Sequence, residues 1–153
     1  MKRRRTVILL IIIVLLVGIQ FIPVDKPVII SDNPNDLLKN YEIPENISNI
    51  LRNACYDCHS NETNFPWYSY IYPIKIPIYN HIHEGRDELN FSEWDSFKKI
   101  DKLTYLDDIS SEVSEGDMPL KEYIRLHSDE KLSEEQIQAF INWSEDFAGA
   151  LFE

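Results

Sequence analysis

The chain has 153 residues, 44% of them hydrophobic, which is enough for one compact domain and too few for a comfortable pair. Four of its fifteen basic side chains, Lys2, Arg3, Arg4 and Arg5, stand together at the N-terminus; the remainder holds eleven basic against 26 acidic residues and carries −15, where the whole chain carries −11. A body this acidic excludes nucleic acid held through its phosphates, which takes Lys and Arg, and suits basic partners instead.

Behind the basic cluster runs an apolar stretch from Val7 to Ile22, broken only by Gly18 and Gln20. A helix over Thr6 to Ile22 would span roughly 25 Å, slightly short of a hydrocarbon core of about 30 Å, and snorkelling arginines make up the difference. The run ends Gly18-Ile19-Gln20-Phe21-Ile22-Pro23, without the A-x-A-like pattern of a cleavage site and without a cysteine for lipid attachment. Residues 1–23 are therefore expected to be an uncleaved single-pass anchor in the inner membrane, with the basic cluster in the cytoplasm and the C-terminal body in the periplasm. From Pro23 to Asn40 the chain carries three prolines and no periodicity, so residues 24–40 are expected to form an extended tether, and 41–153 the folded domain.

Helical patterns dominate that domain. Pro44 and Glu45 open a segment that places Ile47, Ile50, Leu51 and Ala54 on one face and leads into Cys55. Between Phe65 and Pro77, three prolines among aromatics indicate an irregular loop. A second helical pattern follows Ser92, with Phe97, Ile100, Leu103, Leu106, Ile109 and Val113 near helical period and Gly116 as its stop. Ser133-Glu134-Glu135-Gln136 is a capping-box pattern, after which Ile137, Phe140, Ile141, Ser144, Ala148 and Leu151 track one stripe. No strand-period run stands out, so the body is expected to be all-α, with long loops.

Cys55-Tyr56-Asp57-Cys58-His59 is C-x-x-C-H, the attachment sequence for c-type haem. Two thiols one helical turn apart can add across the two vinyl groups of a porphyrin, and the adjacent histidine then reaches the iron. Covalent attachment retains the cofactor in a domain too small to bury it fully. A thioredoxin-like C-x-x-C needs a βαβ context and has no use for the histidine. Structural zinc needs four ligands, and only His59, His81, His83 and His127 remain beyond the thiolates. A disulfide closing so short a loop stabilises little. Export agrees with haem, since c-type attachment takes place outside the bacterial inner membrane.

For the sixth ligand the candidate is Met118, in Gly116-Asp117-Met118-Pro119-Leu120, 59 residues beyond His59 and the only methionine besides Met1. His81 and His83 are its rivals, and His127 a more distant one. With the blocks Ala54-Cys55-Tyr56-Asp57-Cys58-His59-Ser60-Asn61, Pro66-Trp67-Tyr68-Ser69, His81-Ile82-His83-Glu84-Gly85-Arg86, Leu89-Asn90-Phe91-Ser92-Glu93-Trp94 and Gly116-Asp117-Met118-Pro119-Leu120, and a terminal helix carrying Trp143, the sequence resembles a family of small membrane-anchored bacterial haem-binding domains, cytochrome-c-like with one C-x-x-C-H. The resemblance covers most of the chain. It implies cytochrome-c-like helices and long loops around a covalent haem c, with His59 and Met118 on the iron.

Around that haem, the carbonyl of Pro66, or else of Pro73, is a candidate partner for the second ring nitrogen of His59. Phe65, Trp67, Tyr68, Tyr70 and Tyr72 are candidate walls, with Trp67 or a tyrosine hydroxyl reaching a propionate; Arg86 is a further candidate for a propionate, but is expected to be exposed. Histidine and methionine together fill both axial positions and favour electron transfer over catalysis. The expected function is a monohaem c-type cytochrome carrying single electrons to or from redox proteins, some of them basic. A haem sensor or peroxidase-type enzyme with a labile sixth ligand is the alternative, and a C-x-x-C thiol oxidoreductase a further one.

Overall fold

The computed structural model describes residues 2–151 and is all-helical, with no strand among them. Helix α1 (Lys2–Gly18) and a 3-10 turn (Ile19–Phe21) form one apolar rod of which no residue is buried. Leu, Ile and Val surround it on every side, so it has no stripe to pack on the body. Its length and composition are those of a membrane span or a signal sequence.

The body is built from α2 (Leu37–Asn40), α3 (Glu45–Ile50), α4 (Tyr56–His59), α5 (Lys75–Glu88), α6 (Lys99–Glu115), α7 (Lys121–Leu126) and α8 (Glu134–Ala150). Its largest packed pair is α6 against α8, where the Ser144 hydroxyl on α8 donates to the Leu106 carbonyl on α6 at 2.9 Å. Leu106 and Val113 of α6, Phe140 and Trp143 of α8, and Ile47, Ile50 and Leu51 of the α3 region make one core with Trp94, which is fully buried. Ser133 caps α8 and Gln136 reciprocates, the capping box expected. Gly116 ends α6 at φ +74°, a left-handed turn that glycine enters without the Cβ penalty.

Two segments differ from expectation. The stretch 24–40 is extended only in its first part, because Asn33, Asp36 and Leu37 are buried in the body. Asp36 caps α2 by accepting from Leu38 N at 2.9 Å, and its carboxylate also receives the Tyr56 and Ser92 hydroxyls, so the body reaches back to about residue 33. Short polar residues after a proline resemble a linker in sequence; it is their long-range partners that fold them in. The proline-rich stretch, in turn, gives way to helix α5. Pro77 sits in its first turn, where backbone N–H groups lack intrahelical acceptors anyway, and Tyr79, Ile82 and Gly85 form the buried stripe.

Candidate haem site

The path into the motif is not one regular helix. After α3 the backbone widens into a π-turn over Leu51–Cys55, and α4 then carries the remaining four residues of C-x-x-C-H. Tyr56, between the cysteines, is buried, stacks on Phe91 with centroids 5.5 Å apart, and donates to Asp36. With Tyr56 anchored inward, the segment is fixed in rotation. Downstream, the Ser60 hydroxyl donates to the Tyr56 carbonyl at 2.7 Å, Thr63 Oγ1 to the Asp57 carbonyl at 2.8 Å, and Asn64 N to Asp57 Oδ1 at 2.9 Å. Arg86 is half-buried and clamps the same loop, with Nε on the Ser60 carbonyl, Nη2 on Thr63 Oγ1 and Nη1 on the Val28 carbonyl. Its guanidinium is thus committed to the backbone scaffold, which corrects the expectation of an exposed arginine.

Gly85 is the closest approach between α5 and the motif. A Cβ there would lie 3.0 Å from the Cys58 carbonyl oxygen and 3.3 Å from Cys58 Cβ, so glycine lets the helix seat against the second cysteine. His59 Nδ1 donates to the Leu89 carbonyl at 3.0 Å, just past the end of α5. That bond leaves Nε2 with its lone pair available. Burial lowers the His59 pKa despite the opposing hydrogen bond to Leu89, and so favours the neutral imidazole that binds metal.

A cavity of about 690 Å³ opens beside this imidazole, within the size range of cofactor pockets. Cys55, Cys58 and His59 line it from the motif, His81, Glu84, Gly85 and Glu88 from α5, and Tyr105, Asp108, Ile109, Glu112 and Val113 from α6. Met118, Pro119 and Leu120 complete it with Phe140 of α8. Met118 is held there by the end of α6, because the N–H groups of Asp117 and Met118 both donate to the Glu112 carbonyl. A smaller cavity of about 190 Å³ adjoins Cys58 and His81 and is lined by Phe65, Tyr68, Ile78, Tyr123 and His127. There the Tyr68 hydroxyl donates to His127 Nε2 at 3.0 Å, and Tyr123 donates to Asp57 Oδ2 at 3.1 Å.

The donor set fits a haem. Two half-buried thiols, a neutral imidazole with a free nitrogen and a thioether share one cavity walled largely by apolar side chains. Burial pushes the Cys55 thiol up to about 12, with the neighbouring Cys58 adding to it, and pushes Cys58 up to about 11, with Asp57 contributing. Catalytic redox C-x-x-C pairs lie in the opposite direction, with a stabilised thiolate. Among the described residues no three His, Cys, Asp or Glu side chains gather into a group that could hold a metal ion.

Several expected site residues lie elsewhere. The Pro66 carbonyl accepts from Ser69 N at 3.0 Å and Ser69 Oγ at 2.6 Å, closing a 3-10 turn over Trp67–Tyr70, and Leu89 takes the role foreseen for it. That turn throws Trp67 outward to 75% exposure, off both cavities, as are Tyr70 and Tyr72; Phe65 and Tyr68 reach only the smaller cavity. Of the rival histidines, His83 faces Asp25 and His127 lies in the smaller cavity, while His81 lines the larger one. Leu89 was beyond reach of side-chain reasoning, since it acts through its backbone. Gly85 was visible only as part of a block, with no spacing that gave it a contact.

An all-helical body with paired thiols, an imidazole and a thioether on the wall of its larger cavity has the donors of a haem-binding protein. A match to the haem-binding domain family extends over residues 14–146, and the chain belongs to that family. No curated relative and no solved structure matches it.

Proposed function

We propose that this protein is a membrane-anchored monohaem c-type cytochrome that carries single electrons on the periplasmic side of the inner membrane. Cys55 and Cys58 hold the haem as thioethers, His59 is the proximal ligand through Nε2, and Met118 is the distal ligand. The observation that carries the reading is the meeting of Met118 with Cys55, Cys58 and His59 in one 690 Å³ cavity, although 59 residues of chain separate the histidine from the methionine. A bound haem supplies a ferric/ferrous couple for one-electron exchange, and a thioether ligand favours the ferrous side. The protein's part is to fix the His59 ring through Leu89, to keep the thiols protonated and desolvated until they are joined, and to exclude water with Ile109, Val113 and Phe140.

In this reading residues 1–23 are the anchor, α1 crosses the membrane, and the body from about residue 33 is exported. The body's acidity suits basic redox partners and would speed their encounter at low salt. Absorption spectra of both redox states, with and without carbon monoxide, test the assignment. A six-coordinate ferrous spectrum unchanged by carbon monoxide is expected. Rapid carbon monoxide binding, or peroxide turnover, would replace it with a sensor or peroxidase-type enzyme.

A further inference from the structure

Gln20, the polar break in the apolar run, is not idle. Its side chain makes a two-point pairing with the backbone of Tyr72: Tyr72 N donates to Gln20 Oε1 at 2.9 Å, and Gln20 Nε2 donates to the Tyr72 carbonyl at 3.2 Å. Next to it Lys75 Nζ donates to the Ile22 carbonyl at 3.3 Å, and Lys26 Nζ lies 4.5 Å from the Phe65 ring centroid and 4.6 Å from that of Tyr70. The loop 67–74 is thereby held at the foot of the apolar rod.

That loop is chemically unlike the rest of the body. Beyond residue 31, six large hydrophobic side chains are exposed among the described residues, and four of them, Trp67, Tyr70, Ile71 and Ile74, fall within this one stretch. From Phe65 to His83 there is no Asp or Glu, in a chain that has 26. Tryptophan and tyrosine favour the water–lipid boundary, where an apolar ring and a polar tip are both accommodated, whereas carboxylates are repelled by anionic headgroups. Lys26 and Lys75 supply the complementary charge.

We propose that the loop 67–74 is a second membrane contact, which dips Trp67 and Ile71 into the headgroup region of the same leaflet that α1 leaves and fixes the orientation of the haem domain on the bilayer. The proposal rests on the reading of α1 as an anchor. The smaller cavity, walled in part by Phe65, Ile74 and Ile78, then lies on the bilayer side of the domain.

The test uses the full-length haem-loaded chain in nanodiscs containing anionic lipid, with a nitroxide attached at Ile71→Cys and the parent chain labelled in parallel as the blank. Collision of the label with oxygen, which concentrates in lipid, is compared with collision with a water-soluble nickel complex. Labels at Val14→Cys in α1 and Ile100→Cys in α6 calibrate the scale, since both positions are exposed. Oxygen should exceed the nickel complex several-fold at positions 14 and 71, and the order should reverse at 100. Lipid exposure at 14 with water exposure at 71 would overturn the second contact and leave the anchor standing. Water exposure at 14 would overturn the anchor, and this proposal with it. Shielding from both reagents at 71 would also overturn it, by showing a protein surface in place of lipid.

Discussion

Gly85→Ala would place a methyl group 3.0 Å from the Cys58 carbonyl oxygen and 3.3 Å from both the carbonyl carbon and Cβ of that residue. Ordinary contact begins near 3.4 Å, and the nearest obstacle is backbone, which no side-chain rotation can move aside. Overpacking of this kind costs roughly 1–3 kcal/mol. Alanine in mid-helix returns about 1 kcal/mol of propensity, so a net loss of ~1 kcal/mol is expected. Gly149→Ala is the control, because nothing lies within 4 Å of its added Cβ, and it should gain about 0.5 kcal/mol. Denaturant unfolding of the haem-loaded protein at unchanged m-value reads both differences. Opposite signs are expected, together with a lower haem content for the Gly85 variant. If both substitutions stabilise alike, the seating of α5 against Cys58 is not tight and Gly85 has no part in shaping the site.

Asp36→Ala removes the α2 cap and strands the buried Tyr56 and Ser92 hydroxyls; a loss of about 2 kcal/mol is expected in thermal unfolding, with Asp36→Asn losing much less. A chain trimmed to begin at residue 41 should likewise be less stable than one beginning at 31. Burial alone would raise the Asp95 pKa, but hydrogen bonds from Lys102, Tyr41 and Asn40 outweigh it and hold the carboxyl below its ordinary 3.8. Its contribution is therefore complete above that value and is lost as pH falls through the depressed one, so Asp95→Asn should flatten the acid limb of the stability–pH curve; an unchanged acid slope would count against it. Met118→Ala should lower the reduction potential or open the iron to carbon monoxide, and an unaltered ferric spectrum would transfer the sixth position to His81.

Much of the fold was legible because its signals are local. The capping box at Ser133 and the stop at Gly116 each depend on residues within one or two turns, and both occur where expected. Helix α5 was hidden because Pro77 in its first turn, with Pro66 and Pro73 before it, outweighed a sparse stripe of Tyr79, Ile82 and Gly85. In the site, C-x-x-C-H marked Cys55, Cys58 and His59 as candidates, but the acceptor for His59 is a backbone carbonyl thirty residues away, and carbonyls carry no sequence signature. The aromatics of 65–72 resembled a porphyrin wall, yet the larger cavity is walled by α5, α6 and the turn at 118–120 with Phe140 of α8, and Val113 and Phe140 serve the core and the cavity together.

Covalent attachment through Cys55 and Cys58 is the claim on which the rest depends. Acid–acetone extraction of the purified protein, followed by a pyridine haemochrome spectrum of the pellet and the supernatant, tests it directly. Haem retained in the protein pellet, with the band position of a porphyrin whose two vinyl groups are saturated, is expected, and Cys55→Ser with Cys58→Ser should abolish that retention. Haem that passes wholly into the acetone would contradict the account.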